Sequence, residues 1–179
     1  GFPSARLYHL PLFLPDNYFW ASEQDKGYLL FLGKLETIKG IEVLIEAARQ
    51  VNNVPIKIAG NVAEPLASRL PDILPKNAEY VGLKHGQELI NLLRNALAIV
   101  LPSIWYENQP FSILEAFACG KSAIVSDLGG MTELVTHRER GLLVKTWRSS
   151  RISQSHGLGS FKSGKNERYG QECKTICAG

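Results

Sequence analysis

Glu107 and Glu115 stand eight positions apart in the stretch Trp105-Tyr106-Glu107-Asn108-Gln109-Pro110-Phe111-Ser112-Ile113-Leu114-Glu115-Ala116-Phe117-Ala118-Cys119-Gly120. The first follows an apolar run over 96–101 and so lies in a loop after a strand. The second is set among Ile113, Leu114, Ala116, Phe117 and Ala118, on a helix that otherwise reads as core. A carboxylate seldom enters such a helix without a partner. Glu107 suits a hydroxyl donor such as a sugar, and Glu115, roughly one turn inside the helix, can accept hydrogen bonds from two adjacent hydroxyls, as on a ribose. The plainer alternative makes Glu107 an ordinary loop residue and pairs Glu115 with a buried lysine. Pro110 suits the first helical position, where its missing N–H is not needed. The N–H groups of Phe111, Ser112 and Ile113 then lack acceptors and, with the helix dipole, form an anion site whose natural occupant is a phosphate.

Lys34 and Lys39 lie five residues apart in Gly33-Lys34-Leu35-Glu36-Thr37-Ile38-Lys39-Gly40. Placed on the same edge as Glu107, the pair can neutralise a diphosphate, each lysine acting as a point charge. Taken alone, such a pair is solvated surface. Asp127-Leu128-Gly129-Gly130-Met131-Thr132-Glu133 puts a glycine pair between a strand and a short helix, which lets the backbone approach a ligand closely. Glu133 there reads equally well as a helix-start acid. His85, in Gly82-Leu83-Lys84-His85-Gly86, either lines a base pocket or is a surface loop histidine. No His/Cys metal cluster, Gly-x-Ser-x-Gly elbow or Walker loop occurs, so no metal and no cofactor are expected.

The elements that must position these residues follow from periodicity. Residues 28–33 form a continuous apolar run, as in a central parallel strand. A helix follows with Ile41, Leu44, Ile45, Ala48 and Val51 on one face. Further strands are expected over 55–60, 78–82, 96–101, 122–126 and 141–144, with helices over 63–72, 87–95, 111–119 and 131–135. Repeated βα units with short connections predict an α/β protein with a doubly wound, Rossmann-like parallel sheet. Ligands bind such sheets beyond the carboxyl ends of the strands, where Gly33, Gly60, Gly82, Ser103 and Asp127 keep the edge open.

The 179 residues suffice for one domain with a sizeable core. Residues 1–145 carry 14 Lys+Arg against 15 Asp+Glu, and residues 146–179 carry 6 against 2, so the net charge of +3 belongs to the tail. Nucleic-acid binding by the body is therefore not expected. Cys119, Cys173 and Cys177 lack zinc spacing, and a disulfide framework is not expected, which fits a reducing compartment. No apolar run reaches membrane-spanning length, and the start of the chain does not read as a signal peptide. Residues 1–27, with Pro3, Pro11, Pro15 and the aromatics Tyr18, Phe19 and Trp20, read as a linker or the end of a preceding domain; 28–145 read as the ligand-binding domain.

In this order, Phe31 to Gly40, Ile56 to Gly60, Tyr80 to Gly82, Leu101 to Glu107, Pro110 to Lys121, Asp127 to Val135 and Gly141 to Val144 resemble the carboxyl-terminal donor domain of the retaining glycosyltransferases of family 4, which have the GT-B fold. The Glu-x7-Glu spacing is that family's best-known mark. The resemblance implies that Glu107 holds hydroxyls of the transferred sugar, Glu115 holds the ribose, and Lys34 and Lys39 bind the diphosphate with the N–H groups of Phe111 and Ser112. Gly33, Pro110, Gly129, Gly130 and His85 complete the expected donor contacts. The donor substrate is a nucleoside-diphosphate sugar, and the acceptor-binding amino-terminal domain is expected to be missing, so this chain reads as a fragment competent for donor binding at most. Many family members act at the cytoplasmic face of the inner membrane, which implies a cytoplasmic protein with peripheral membrane contact through the missing domain. Lys34 stands where arginine is common and Pro110 where glycine is common. The rival readings are a non-catalytic nucleotide-sugar-binding module, a GT-B-type sugar-nucleotide epimerase, and an interaction domain that uses the basic tail.

The tail carries six Ser and five Gly among its 34 residues and is expected to be a disordered extension. A sharper reading makes it a frameshift. Thr146-Trp147-Arg148-Ser149 can be encoded by ACC TGG AGA TCN, which one base on gives Pro-Gly-Asp, a natural turn after Val144-Lys145. Sequencing the gene tests this; codons unable to give Pro-Gly-Asp in the shifted frame rule it out.

Overall fold

The chain's computed structural model describes residues 8, 10–15, 21–51 and 53–145. The expected disordered or frameshifted tail, Tyr18 to Trp20, Cys173 and Cys177 lie outside the described residues. Each expected strand and helix of 28–145 is present. In chain order they are β1 (Tyr28–Leu32), a 3-10 turn (Thr37–Lys39), α1 (Ile41–Gln50), β2 (Ile56–Ala59), α2 (Leu66–Ile73), β3 (Ala78–Gly82), α3 (Gly86–Arg94), β4 (Ala96–Leu101), α4 (Phe111–Ala118), β5 (Ser122–Ser126), α5 (Met131–Leu134) and β6 (Gly141–Val144). The largest boundary difference is at α2, which starts at Leu66 after Pro65.

The six strands form one sheet in the order β3-β2-β1-β4-β5-β6. Every pairing is parallel; Leu30, for example, faces Lys57 on β2 and Ile99 on β4. The order reverses between β1 and β4, so the connections leave these two strands in opposite directions and open a crevice at their carboxyl ends.

Side chains alternate across the sheet. Leu29 and Phe31 of β1, with Ala98 and Val100 of β4, pack against Ile41, Leu44, Ile45 and Ala48 of α1 and Leu70 of α2. Tyr28 and Leu30, with Ile99 and Leu101, pack against Leu93 of α3, Ile113, Ala116 and Phe117 of α4 and Met131 of α5. The sheet is therefore covered on both faces, which explains why its strands read as continuous apolar runs.

Close backbone contacts fix the loops at the carboxyl edge. Gly40 has φ +73°, and a Cβ placed on it would lie 1.9 Å from the Pro102 carbonyl oxygen. Beside it, the Ile104 N–H donates to the Ile38 carbonyl at 3.0 Å. The loop after β1 and the loop after β4 are thus in direct backbone contact across the switch point.

The segment before β1 lies along α4. Leu14 is buried against Leu114 and Ala118. At the far end of the helix, the Ser22 N–H donates to the Cys119 carbonyl. Lys121 is fully buried, and its ammonium donates to the carbonyls of Ser22 at 2.9 Å and Gln24 at 3.0 Å. Burial lowers its pKa, and Asp25 works against that shift.

Gly40→Ala tests the loop contact. Alanine both enters the left-handed region and collides with Pro102, so the variant should lose about 2 kcal/mol or more of unfolding free energy in urea titration. An unchanged midpoint would contradict the contact.

Candidate donor site at the switch point

Ser103, two residues after β4, is fully buried, and Glu107 follows it on a loop whose aromatic residues Trp105 and Tyr106 are exposed. Lys39 sits at the end of the 3-10 turn after β1, held by Gly40 against Pro102. This brings Lys39 Nζ to 2.6 Å from Glu107 Oε1. Ser103 Oγ donates to the same oxygen at 3.1 Å. Glu107 Oε2 has no partner among the described residues. The side chain is only 15% exposed, so this ion pair is less screened than a surface one. One carboxylate oxygen is fixed and the other is open to a hydroxyl.

Gly129 and Gly130 lie on the other side of Glu107. The Gly130 N–H donates to the Glu107 carbonyl at 2.7 Å. A Cβ on Gly129 would lie 2.9 Å from the Glu107 carbonyl oxygen, and one on Gly130 would lie 1.5 Å from that of Asn108. The close approach expected of this pair is thus made to the 107–108 backbone, because that loop occupies the space where side chains would point. Both glycines position Glu107.

α4 begins at Phe111, as expected, but Pro110 does not take the first helical position that suits it. Pro110 is the N-cap, extended at φ −63° and ψ 119°, and Phe111 is the first helical residue. Ile113 is not a free donor, because its N–H reaches the Pro110 carbonyl at 3.1 Å. Phe111 and Ser112 remain, with N–H groups that have no acceptor among the described residues. The buried face of α4 carries Ile113, Leu114, Ala116, Phe117 and Ala118. Phe111 is exposed, while Ser112 and Glu115 are half-buried. Their spacing puts Glu115 one turn along the same face, next to the two free donors.

Glu115 has no hydrogen bond or ion pair for its carboxylate among the described residues, and burial raises its pKa above the ordinary 4.5. The alternative pairing with a buried lysine therefore fails: the buried lysine of this region, Lys121, points its ammonium at Ser22 and Gln24.

The remaining expected residues are more dispersed. Lys34 is 53% exposed and paired with Glu36; it is on the correct loop but does not touch Glu107. Gly33 follows β1 with open space where a side chain would sit, the nearest atoms being 4.0 Å away on Phe31. His85 caps α3, exposed, after β3 at the sheet's outer edge, two strands from β1. Cys119 is buried at the end of α4, its thiol pushed up to about 11 chiefly by burial. Gln109 and Lys121 escape sequence reasoning, because what marks each is a partner unrelated to it in local pattern; Ser103 is expected at the edge, but its bond to Glu107 is not.

A parallel sheet in the order 3-2-1-4-5-6, with a loop carboxylate and a helix start at its switch point, is a doubly wound, Rossmann-like domain with its candidate site where such sheets bind ligands. The sequence model of the family described as "Glycosyl transferases group 1" matches residues 17–156, and the chain belongs to that family. It is similar to an uncharacterized glycosyltransferase of Methanocaldococcus jannaschii, 33% identical over 132 residues, which cover 68% of this chain and 33% of that protein. The chain spans about a third of the length of the curated relatives it matches. The C-terminal domain of a glycosyl transferase group 1 family protein from Francisella tularensis has a similar fold, with TM-score 0.74 and 18% identity over 89% of this chain and 95% of that one. So does HepE of Anabaena, solved in complex with UDP-glucose, with TM-score 0.76 and 16% identity over 91% of this chain and 51% of that one. No helix among the described residues is long and apolar enough to cross a membrane.

The raised pKa of Glu115 gives a pH test. An acid whose folded pKa exceeds its unfolded one contributes stability that is complete below the unfolded value and is lost as pH rises through the folded value. Glutamine keeps the neutral form at every pH. The Tm advantage of Glu115→Gln should therefore widen as pH rises from 4.5 to neutrality, as read by calorimetry. A gap that stays flat with pH would contradict the desolvated carboxylate.

Proposed function

We propose that this domain binds the donor of a retaining, family 4 glycosyltransferase: a nucleoside-diphosphate sugar whose hexose passes to an acceptor hydroxyl. One observation carries the reading. A lysine-held carboxylate lies with two N–H donors and a half-buried carboxylate that have no partner among the described residues, along one loop and helix at the switch point of the sheet. These groups match the three parts of such a donor. The N–H groups of Phe111 and Ser112 face the diphosphate, with Lys39 and, at longer range, Lys34. Glu115 accepts from the two ribose hydroxyls. Glu107 Oε2 accepts from the hexose. UDP-glucose in the HepE complex supports this class of ligand.

In the transfer, the bond from the anomeric carbon to the diphosphate oxygen breaks as the acceptor oxygen bonds to the same face of that carbon. The acceptor's proton leaves toward the departing phosphate. Negative charge grows on the diphosphate, where preorganised donors are worth on the order of 3 kcal/mol each. Glu107 positions the sugar and does not attack it, since one of its oxygens already carries two hydrogen bonds and a lysine's charge. The acceptor enters from a second domain that faces this edge, in a cytoplasmic protein that reaches its acceptor at the inner membrane face.

Isothermal titration with UDP and UDP-glucose tests the assignment. Glu115→Ala should weaken both ligands by about tenfold or more. Glu107→Ala should remove the added affinity of the sugar and leave UDP close to unchanged. Equal losses for both ligands in both variants would refute it.

A further inference from the structure

Gln109 lies between Glu107 and Pro110, and its side chain does not face the crevice. Its carboxamide engages one residue of the preceding segment at both ends: the Leu12 N–H donates to Oε1 at 2.7 Å, and Nε2 donates to the Leu12 carbonyl at 3.3 Å. Two opposed hydrogen bonds to a single residue fix a carboxamide as a second peptide would. Two positions on, Leu14 is buried against Leu114 and Ala118 of α4. The segment 10–15 is thus attached to the loop through its backbone and to the helix through a side chain.

On its other side the same loop is held by the Gly130 N–H, which donates to the Glu107 carbonyl at 2.7 Å, and by the close packing of Gly130 on Asn108. The loop that carries Glu107 and opens α4 is therefore gripped between the 129–130 turn and segment 10–15. Both sites of contact are distant in sequence, and among the described residues only Gln109 joins the loop to the segment by hydrogen bonds.

We propose that Gln109 is a positioning residue that couples segment 10–15 to the donor site. This rests on the donor-site reading above. The docked segment selects the loop arrangement in which Glu107 and the Phe111 and Ser112 N–H groups converge. Coupling between two equilibria is reciprocal: if the docked segment favours ligand, ligand favours docking by the same factor. A residue that merely supports the fold has no such signature.

The test uses the whole chain, UDP as the probe, and amide exchange by NMR together with titration calorimetry. In the natural chain, saturating UDP should slow exchange of the Leu12 amide. Gln109→Leu should weaken UDP by about three- to tenfold, from the loss of two part-exposed hydrogen bonds. It should also abolish the UDP-dependent slowing at Leu12 while Tm stays within about two degrees of the natural chain. UDP affinity in Gln109→Leu equal to the natural chain, or a Leu12 amide indifferent to bound UDP, overturns the coupling and leaves the donor site standing. Absence of UDP and UDP-glucose binding by the natural chain overturns the donor reading and the coupling together. Should Gln109→Leu fail to fold, Leu12 exchange in the natural chain decides alone.

Discussion

The ion pair between Lys39 and Glu107 joins the two halves of the sheet. Lys39 belongs to the connection that leaves β1 in one direction and Glu107 to the connection that leaves β4 in the other. Their 2.6 Å contact therefore spans the crevice that the strand order opens. It requires Gly40 to pass within contact of Pro102, which in turn requires a residue without a side chain. Ser103 directs the carboxylate from below, and Gly130 fixes its backbone. With one oxygen of Glu107 committed, the other is presented in a defined direction. Orientation of this kind is what a site needs before any ligand arrives.

α4 carries the second half of the site. It is buried deeply enough for its position to be set by the core, while the narrow face of Phe111, Ser112 and Glu115 stays accessible. The unpartnered carboxylate of Glu115 is held there against its own desolvation, and burial in the core stabilises the helix that carries it. The chain segments before β1 are fastened to both ends of the same helix, through Gln109 near its start and Lys121 beyond its end. Lys121 is a buried ammonium whose hydrogen bonds go to carbonyls and not to a carboxylate, and it holds the incoming chain at a fixed point below the site.

Much of this was legible in the sequence, for identifiable reasons. The strands are buried on both faces and so read as unbroken apolar runs; the helices have one apolar face and so show helical periodicity. Short connections then leave little choice but a doubly wound sheet. Glu115 stood out because a charge within core sequence needs explaining, and Glu107 and the lysines at 34 and 39 because they fall on loops at one edge of the sheet. The residues that set their geometry were not visible. Nothing near Lys121 announces that its partners are Ser22 and Gln24, and nothing near Gln109 announces Leu12. Local pattern also leaves detail open: the glycines at 129 and 130 are spaced for a close approach, but nothing in it names Glu107 and Asn108 as what approaches them. Nor does the pattern show that the extended Pro110 gives the Ile113 N–H an acceptor.

The central claim is that the carboxyl edge of the sheet at β1 and β4 receives a diphosphate. Mapping backbone amide shifts while UDP is titrated into the chain tests it most directly. The account predicts that the largest, saturable shifts fall on Phe111, Ser112 and the loop 33–40, with Glu107 moving when UDP-glucose replaces UDP. Shifts confined instead to the opposite end of the sheet, around Lys57, Lys76 and Glu79, or no saturable shift at all, would contradict it.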